Sequence, residues 1–297
     1  MKTSNHLLRR LTAALLAAVL ALSIALPVFA SDDGDTIYIN SVSDLLSLAR
    51  NCAYDQWSVG KTVILQKDLS LEGMLWEPIP SFSGQFKGNG HTISDLTITG
   101  QYSPAGLFGI VEEQGSIESL SVRGVVSVSD SADTTTGGIV GINHGTLISC
   151  PFAGVVTGDS EVGGIVGRNE SDGTIDHSTA RAIVTGKSST GGIAGYNLGA
   201  ITGCTNVGSI NTEYPEASLE TDGFTAKMVD YINNKMAAAD DDATNSVTNV
   251  ATDTGGVAGR SSGMILTSVN TGTIGYEHVG YNVGGIVGRT DGLVSGC

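Results

Sequence analysis

The sequence predicts an all-β fold, a right-handed parallel β-helix with three short strands in each rung of 26–29 residues. The pentapeptide Gly-Gly-Ile-Val-Gly recurs along the chain with small changes, and β-rich runs follow its copies. A repeat with a period of roughly 20–50 residues is the signature of a solenoid. The last glycine of the pentapeptide returns after 32, 26, 28, 64 and 29 residues, at Gly109, Gly141, Gly167, Gly195, Gly259 and Gly288.

One repeat shows the expected content of a rung. Its three β-rich runs cover 163–169, 173–178 and 181–185, and the pentapeptide is expected to form one β-run and its tight exit turn. Stacked rungs would pair each run with its equivalents about 4.8 Å above and below. An antiparallel sandwich is the alternative, because it also contains short strands separated by turns. Equivalent residues that return in register favour the β-helix.

The N-terminal residues 1–30 are predicted to be a secretory signal peptide. A basic start precedes an apolar, alanine-rich run over 11–26, and small residues lead to cleavage after Ala30. A retained membrane anchor is the alternative, but the apolar run is shorter than the ~20 residues that a membrane span needs. The chain is therefore expected to be secreted or extracellular, with no membrane span after the signal is removed.

The chain is acidic. Its formal net charge is −15, and removal of residues 1–30 would leave 12 basic and 30 acidic residues, a net charge of −18. This charge disfavours nucleic acids and anionic membranes as partners, because both are negatively charged. The four cysteines fit neither a dense disulfide scaffold nor a zinc site in their spacing.

Residues 31–60 are predicted to form an N-terminal strand and a capping helix. An alternating run at 36–40 indicates the strand, and an amphipathic segment follows with Ser43 as its N-cap. A solenoid exposes its hydrophobic core at each end, so a terminal element that covers the core is expected. Rungs of the β-helix are then predicted over 61–212.

Equivalent residues of successive rungs are expected to stack in columns. An inward aliphatic column contains Ile139, Ile165, Ile193, Val257 and Ile286. A second column lies two residues after the marker glycine and contains Asn143, Asn169 and Asn197. Stacked asparagines can hydrogen-bond along such a column, and asparagine tolerates the left-handed conformation of a turn.

A third column holds small, weakly polar residues that suit a tight buried corner. Its members are Cys150, Ser178, Cys204, Ser268 and Cys297. Cys150 and Cys204 are two rungs apart, about 9.6 Å by the strand spacing, which is too far for a disulfide. These two cysteines are therefore expected to remain unbridged.

The 64-residue step predicts an inserted helical excursion over 213–250. Its apolar residues follow helical spacing, so a helix is expected to pack its apolar face against the solenoid. Insertions in solenoids can form the binding face, and a purely shielding role is the alternative. Rungs resume over 251–297 and stop within a rung, so the chain is expected to be a fragment of a longer protein with further C-terminal domains.

The Gly-Gly-Ile-Val-Gly cores, each followed by an Asn-x-Gly-Thr-Ile-type turn, resemble the GLUG motif of bacterial secreted and surface proteins. The stretch 82–98, with its Gly-Asn-Gly-His-Thr-Ile segment, resembles the run that often precedes these repeats. Similar repeats occur N-terminal to metallopeptidases that cleave immunoglobulin A. The resemblance implies a surface or secreted β-helical module, and it brings no catalytic residues with it.

The sequence shows no pattern that predicts a catalytic, cofactor or metal site. His-Glu-x-x-His, Gly-x-Ser-x-Gly and the phosphate-loop pattern are all absent from it. Carboxylates and an arginine in the predicted strands do not recur at one offset in successive rungs, as the active site of a β-helical lyase would require: Asp95, Glu118, Asp176 and Arg123. The histidines also fall at different offsets: His91, His144, His177 and His278.

These observations predict a secreted or cell-surface structural module, adhesin-like and non-catalytic. The expected partners are a host or cell-surface protein or glycan. The alternative is the non-catalytic N-terminal region of a larger secreted peptidase or glycan-active enzyme. A β-helical polysaccharide lyase or hydrolase ranks below both.

Overall fold

The computed structural model describes residues 35–54, 56–128, 134–212, 251–275 and 279–297. The predicted signal peptide at 1–30 and the predicted helix at 213–250 lie outside the described residues.

The described chain contains one short helix and thirty strands. It begins with β1 (Thr36–Ile39), α1 (Val42–Asn51), β2 (Thr62–Leu65), β3 (Leu69–Ser70), β4 (Ile79–Phe82), β5 (Gln85–Lys87), β6 (Thr92–Gly100), β7 (Phe108–Val111), β8 (Ser116–Glu118) and β9 (Ser121–Val128). It continues with β10 (Thr135–Gly137), β11 (Val140–Asn143), β12 (Thr146–Ile148), β13 (Phe152–Thr157), β14 (Glu161–Gly163), β15 (Val166–Asn169), β16 (Thr174–Asp176), β17 (Thr179–Thr185), β18 (Ser189–Gly191), β19 (Ala194–Asn197), β20 (Ala200–Thr202), β21 (Thr205–Asn206) and β22 (Ser209–Ile210). It ends with β23 (Ala251–Gly255), β24 (Ala258–Ser261), β25 (Met264–Leu266), β26 (Val269–Asn270), β27 (Thr273–Ile274), β28 (Val279–Gly284), β29 (Val287–Thr290) and β30 (Leu293–Ser295).

Four parallel sheets run along the solenoid. Each complete turn of the solenoid in the middle of the chain, such as the turn from β14 to β17, contributes one strand to each sheet. We name them sheets I to IV in the order in which the chain visits them. Within the described ranges, sheet I has five strands (β10-β14-β18-β23-β28) and sheet II has seven (β4-β7-β11-β15-β19-β24-β29). Sheet III has nine (β1-β2-β5-β8-β12-β16-β20-β25-β30), and sheet IV follows β3-β6-β9-β13-β17-β21-β26, with β22 and β27 paired beside it. The predicted parallel β-solenoid is therefore confirmed.

Each central turn has a fourth strand that the sequence did not separate. In one turn this extra strand is β14, which ends at Gly163, the first glycine of the pentapeptide. The chain bends at Gly164 and Ile165 and enters β15 at Val166. The pentapeptide is therefore a corner between two strands, and not one strand with its exit turn.

The glycines of this corner are required by close packing between turns. A Cβ atom on Gly163 would overlap the carbonyl oxygen of Val166, and one on Gly164 would overlap the carbonyl oxygen of Gly192 in the next turn. Neither glycine is among the residues with positive φ. The repeated glycines thus allow neighbouring backbones to approach each other closely.

The 64-residue step is one turn of the solenoid. Gly191 in β18 lies opposite Gly255 in β23, just as Gly163 lies opposite Gly191 across the 28-residue step. The register is kept because the extra chain leaves after β22 and returns before β23. An insertion of this kind leaves the ladder of backbone hydrogen bonds intact.

The predicted aliphatic column faces the core. Its first four members are fully buried: Ile139, Ile165, Ile193 and Val257. Each backbone N–H donates to the carbonyl oxygen of the next member at 2.7–3.1 Å, and the series ends on Ile286, which is partly buried in the last described turn. Stacking equivalent aliphatic residues buries apolar area in every turn, worth roughly 25 cal/mol for each Å² removed from water.

Aromatic residues fill the core of the first turns. The ring centroids of Phe82, Phe86 and Phe108 lie 5.4–6.3 Å apart in tilted and edge-on arrangements. Trp76 is 1% exposed, and its Nε1 donates a hydrogen bond to the carbonyl oxygen of Leu107 at 3.1 Å. Trp76 is thus a packing residue of the core.

Helix α1 packs against the N-terminal turn, as predicted for a cap. Its buried residues Leu45 and Leu48 join the hydrophobic core. The N-cap is Ser41, and not Ser43 as predicted, because the extended Ser41 places its Oγ 3.2 Å from the Asp44 N–H. The Asp44 carboxylate accepts in turn from the Asn40 N–H at 2.9 Å, which closes a reciprocal cap.

Left-handed residues form a column of their own. They lie directly before the cysteine and serine column, or before Leu120 in its earlier turn, and have φ of 46–68°: Ser119, Ser149, His177, Gly203, Thr267 and Gly296. The asparagine column ends strands of sheet II instead, so its predicted left-handed role is wrong. The asparagines stabilise the turn through hydrogen bonds of their side chains instead.

Candidate functional site

The asparagine column is buried, and its side chains hydrogen-bond along the column, as predicted. Asn143, Asn169 and Asn197 are fully buried. The Nδ2 of Asn143 donates to Asn169 Oδ1 at 2.8 Å, and Asn169 donates to Asn197 Oδ1 at the same distance. Asn197 completes the ladder with a bond to Ser261 Oγ at 3.0 Å. These amides satisfy one another and are not displayed to a ligand.

A second asparagine ladder was missed by the sequence analysis. Asn206 Nδ2 donates to Asn270 Oδ1 at 2.8 Å, and each Oδ1 accepts the N–H of the glycine two residues later. Phe152 and Ala180 occupy the same register position in earlier turns. In the sequence, Asn206 and Asn270 lie at the same offset from their marker glycines. This repetition could have predicted the ladder, but it occurs in only two of the described turns.

The cysteine and serine column is structural as well. Ser178 Oγ accepts the Cys150 N–H at 3.0 Å, and Ser268 Oγ accepts the Cys204 N–H at 3.2 Å. Cys150 and Cys204 are free thiols, separated by the turn of Ser178. Burial raises the pKa of both thiols to about 12. They are therefore protonated at neutral pH and poor nucleophiles.

The histidines that the structure describes each contact a different aspartate. His91 and His144 each lie 3.1 Å from a carboxylate oxygen, of Asp68 and Asp172 respectively. His177 lies 2.8 Å from Asp176. Among the described residues, no group of three or more histidine, cysteine, aspartate or glutamate side chains could hold a metal ion.

The carboxylates considered for a lyase site are not brought together either. Asp95 accepts hydrogen bonds from Ser70 and Ser94 at a bend of sheet IV. Glu118 and Asp176 lie in sheet III, in turns separated by that of β12. Arg123 lies on sheet IV, in β9.

An open polar cleft lies near the N-terminal turns. Its volume is about 440 Å³, and its lining includes Ser81, Glu112 and Glu113. Ser81 Oγ donates to Glu112 Oε1 at 2.7 Å, so this carboxylate is already used by the sheet.

The outer face of sheet II carries a column of a different kind. The residue after each marker glycine is paired in register from turn to turn, as Ile142, Arg168, Tyr196, Arg260 and Arg289. Unlike the buried asparagines next to them, these side chains are partly or fully exposed. We call Arg168, Tyr196, Arg260 and Arg289 the arginine ladder.

Tyr196 is held between two guanidinium groups. The Cζ atoms of Arg168 and Arg260 lie 5.1 and 5.0 Å from the centroid of its ring. Their strands, β15 and β24, flank β19 on opposite sides, so the two cations approach from neighbouring turns. The Tyr196 hydroxyl lies 3.3 Å from Ser262 Oγ. Cation–π contacts of this type contribute about 0.5–1 kcal/mol each at exposed sites.

The two ends of the arginine ladder differ in their carboxylate partners. Arg168 donates to Glu161 at 2.8 Å and to Glu170 at 2.6 Å. Burial opposes the charge on Arg168, but the two carboxylates outweigh it and raise its pKa. Arg260 and Arg289 lie near Asp291, whose pKa is lowered by the Ser262 hydroxyl and then by these arginines.

Within the described ranges, no helix is long and apolar enough to cross a membrane.

Comparison with known proteins identifies the repeat. The family described as the GLUG motif matches residues 158–185, which contain the four strands β14 to β17 of one complete turn. Halomucin of Haloquadratum walsbyi is 35% identical over 100 residues, which cover 33% of this chain and 1% of halomucin. A "Putative Gly-rich membrane protein" of Evansella cellulosilytica is 29% identical, over 33% of this chain and 16% of its own length. The chain thus spans a small part of each of these relatives.

A solved structure shares the fold. The crystal structure of a "putative immunoglobulin A1 protease" from Bacteroides ovatus matches with a TM-score of 0.60 at 17% identity, over 88% of this chain and 74% of that one. At this identity the likeness concerns the fold alone. Residues 158–185 therefore carry a GLUG motif, which forms one complete turn of a parallel β-solenoid.

Proposed function

We propose that this chain is a secreted or cell-surface scaffold, adhesin-like and non-catalytic. The observation that carries the proposal is the contrast between the inner and outer columns. The inner positions repeat aliphatic, asparagine and cysteine or serine residues and satisfy one another. The outer position of sheet II changes from isoleucine to arginine and tyrosine along the axis. A constant frame with a varied outer surface suits presentation and binding, for which solenoids offer extended faces.

Export and surface location are supported by two observations. Residues 1–30 have the pattern of a signal peptide. One relative is named as a membrane protein, which agrees with a place at the cell surface for this chain. The buried cysteines Cys150 and Cys204 are free thiols, and the fold stacks them in different turns without a disulfide. Their presence is therefore compatible with export.

The test expresses the full chain and a variant without residues 1–30 in a bacterial host. The full chain should be exported and cleaved after Ala30, and the shortened chain should stay in the cytoplasm. The exported protein should bind extracellular glycans or proteins and leave polysaccharide and peptide panels uncleaved. Retention of the full chain in the cytoplasm, or cleavage of a substrate by the purified chain, would overturn the proposal.

The non-catalytic region of a larger secreted peptidase is the second candidate. It is favoured by the fold shared with the Bacteroides ovatus structure, and by the resemblance of the repeats to those N-terminal to immunoglobulin A-cleaving enzymes. The sequence of the full gene would distinguish between these two candidate functions. A His-Glu-x-x-His zinc motif encoded in the same polypeptide would favour the peptidase, and a wall-anchoring signal would favour the scaffold.

A further inference from the structure

We propose that the arginine ladder binds the carboxylate of an acidic sugar in an otherwise neutral glycan, through Arg260 and Arg289. The inference rests on the proposed function, because it gives the adhesin-like scaffold a ligand class and a site. Three features of the ladder carry it: a pair of adjacent like charges, a rigid support for one of them, and the acidic surroundings.

The first feature is the pairing of two arginines in neighbouring turns. Arg260 and Arg289 are direct register partners in β24 and β29. Adjacent parallel strands lie about 4.8 Å apart, and like charges placed opposite one another destabilise a sheet. Among the described residues, the exposed Asp291 is a carboxylate whose pKa both arginines lower. The two guanidinium groups and this carboxylate together carry one net positive charge, which one further anion would balance.

Arg168 provides the contrast within the same ladder. Two carboxylates, Glu161 and Glu170, already hold its guanidinium at 2.6–2.8 Å. A ligand would have to displace one of them to reach Arg168. The site is therefore placed at the Arg260 end of the ladder, and Arg168 acts there through Tyr196.

The second feature is the rigid position of Arg260. The Tyr196 ring supports its guanidinium at 5.0 Å, and the Tyr196 hydroxyl lies 3.3 Å from Ser262 Oγ. A guanidinium whose plane is fixed can donate two parallel N–H bonds to one carboxylate with little loss of entropy. The Ser262 hydroxyl, two residues after Arg260 in sequence, can bond to a sugar hydroxyl.

The third feature is the acidic character of the protein, which selects the ligand. The net charge of −15, with Glu161, Glu170 and Asp291 close to the ladder, repels a polymer with many negative groups. A glycan with one carboxylate gains the bidentate contact and avoids most of this repulsion. A neutral glycan avoids the repulsion but leaves the paired arginines without a new partner.

The experiment titrates the exported chain with 3′-sialyllactose, lactose and the polyuronate alginate by calorimetry. The first two differ by one carboxylated sugar. The double variant Arg260→Gln with Arg289→Gln removes both charges, and Arg181→Gln is the matched control, because Arg181 is an exposed arginine on sheet IV. Circular dichroism melts show whether each variant keeps its fold.

We expect 3′-sialyllactose to bind at least about tenfold more tightly than lactose, and the double variant to lose about tenfold in affinity. The Arg181 control should bind like the original chain. Equal binding of both oligosaccharides, binding of alginate alone, no binding, or full affinity in the folded double variant would each overturn this proposal. Export and binding of another surface ligand would still support the scaffold, so the two proposals can fail separately.

Discussion

The asparagine ladder offers a direct test of what holds the turns together. In Asn169→Ala, the Oδ1 of Asn197 loses its 2.8 Å donor and the carbonyl oxygen of Gly173 loses its 3.1 Å donor. Asn143 Nδ2 loses Asn169 Oδ1 but keeps the carbonyl oxygen of Gly145 at 3.1 Å. The Gly173 carbonyl oxygen keeps the Ala200 N–H as its donor at 3.0 Å, so the acceptor left without a donor is Asn197 Oδ1. One buried acceptor without a donor, at roughly 1–3 kcal/mol, predicts a loss of about 2 kcal/mol in the free energy of unfolding.

The variant Asn169→Asp separates hydrogen bonding from shape. Its side chain has nearly the same volume, but an ionised carboxylate would face the carbonyl oxygens of Gly173 and Ala200, which now accept from Asn169. Burial beside these oxygens should raise the carboxyl pKa above its unfolded value of about 3.9. The folded state then binds the proton more tightly, so stability relative to the original chain is retained below about pH 4 and lost as pH rises.

Urea unfolding followed by far-ultraviolet circular dichroism measures both variants at pH 4 and pH 8. Thr290→Ala is the control, because Thr290 occupies the exposed end of the same column, and its cost should stay within about 0.5 kcal/mol. An Asn169→Ala variant as stable as this control would refute the energetic role of the ladder. Equal destabilisation of Asn169→Asp at both pH values would refute the electrostatic reasoning.

Four further predictions concern the corner, the thiols and the cap. Gly164→Ala should cost roughly 1–3 kcal/mol or more in urea unfolding, because the added Cβ meets the backbone of the next turn, whereas the equivalent Gly285→Ala, with nothing within 4 Å, should cost far less. In the native state, Cys297 alone of the four cysteines should react with Ellman's reagent. Because burial raises the pKa of the Cys150 thiol from 9.0 to about 12, the folded state holds its proton more tightly, so stability should fall as pH rises through this range; an alkaline melting series without such a fall would contradict it. Ser41→Ala removes the N-cap acceptor and should lower the free energy of unfolding by about 1 kcal/mol, and an unchanged urea midpoint would show that the cap does not contribute.

Much of the fold could be predicted because a solenoid repeats its contacts in the sequence. The spacing of the marker glycines predicted the register that pairs Gly163 with Gly191 and Gly191 with Gly255. The same spacing predicted the asparagine and cysteine columns, since equivalent residues of a parallel stack must lie above one another. The N-cap was missed by two residues, because Ser41 and Ser43 offer the same hydroxyl and only the extended backbone of Ser41 decides between them.

The candidate site was the least predictable part. Arg168, Tyr196, Arg260 and Arg289 share one offset from their marker glycines, but they differ in type and gave no repeated signal. The role of these residues depends on their contacts, such as the cation–π contacts to Tyr196 and the carboxylates that bind Arg168. The sequence shows an order along the chain, whereas these contacts depend on where side chains point from adjacent strands.

By itself, the sequence determined the period of the solenoid, its inward columns and the place where extra chain enters one turn, because a stacked parallel sheet maps spatial neighbours onto a constant spacing. Only the tertiary structure decided that the pentapeptide is a corner between two strands. It also showed that the left-handed residues are those of the Ser149 and His177 column, and that Tyr196 lies between two arginines. These features depend on close approach and charge across a distance of one strand spacing, and that distance joins residues some 26–64 positions apart in the chain.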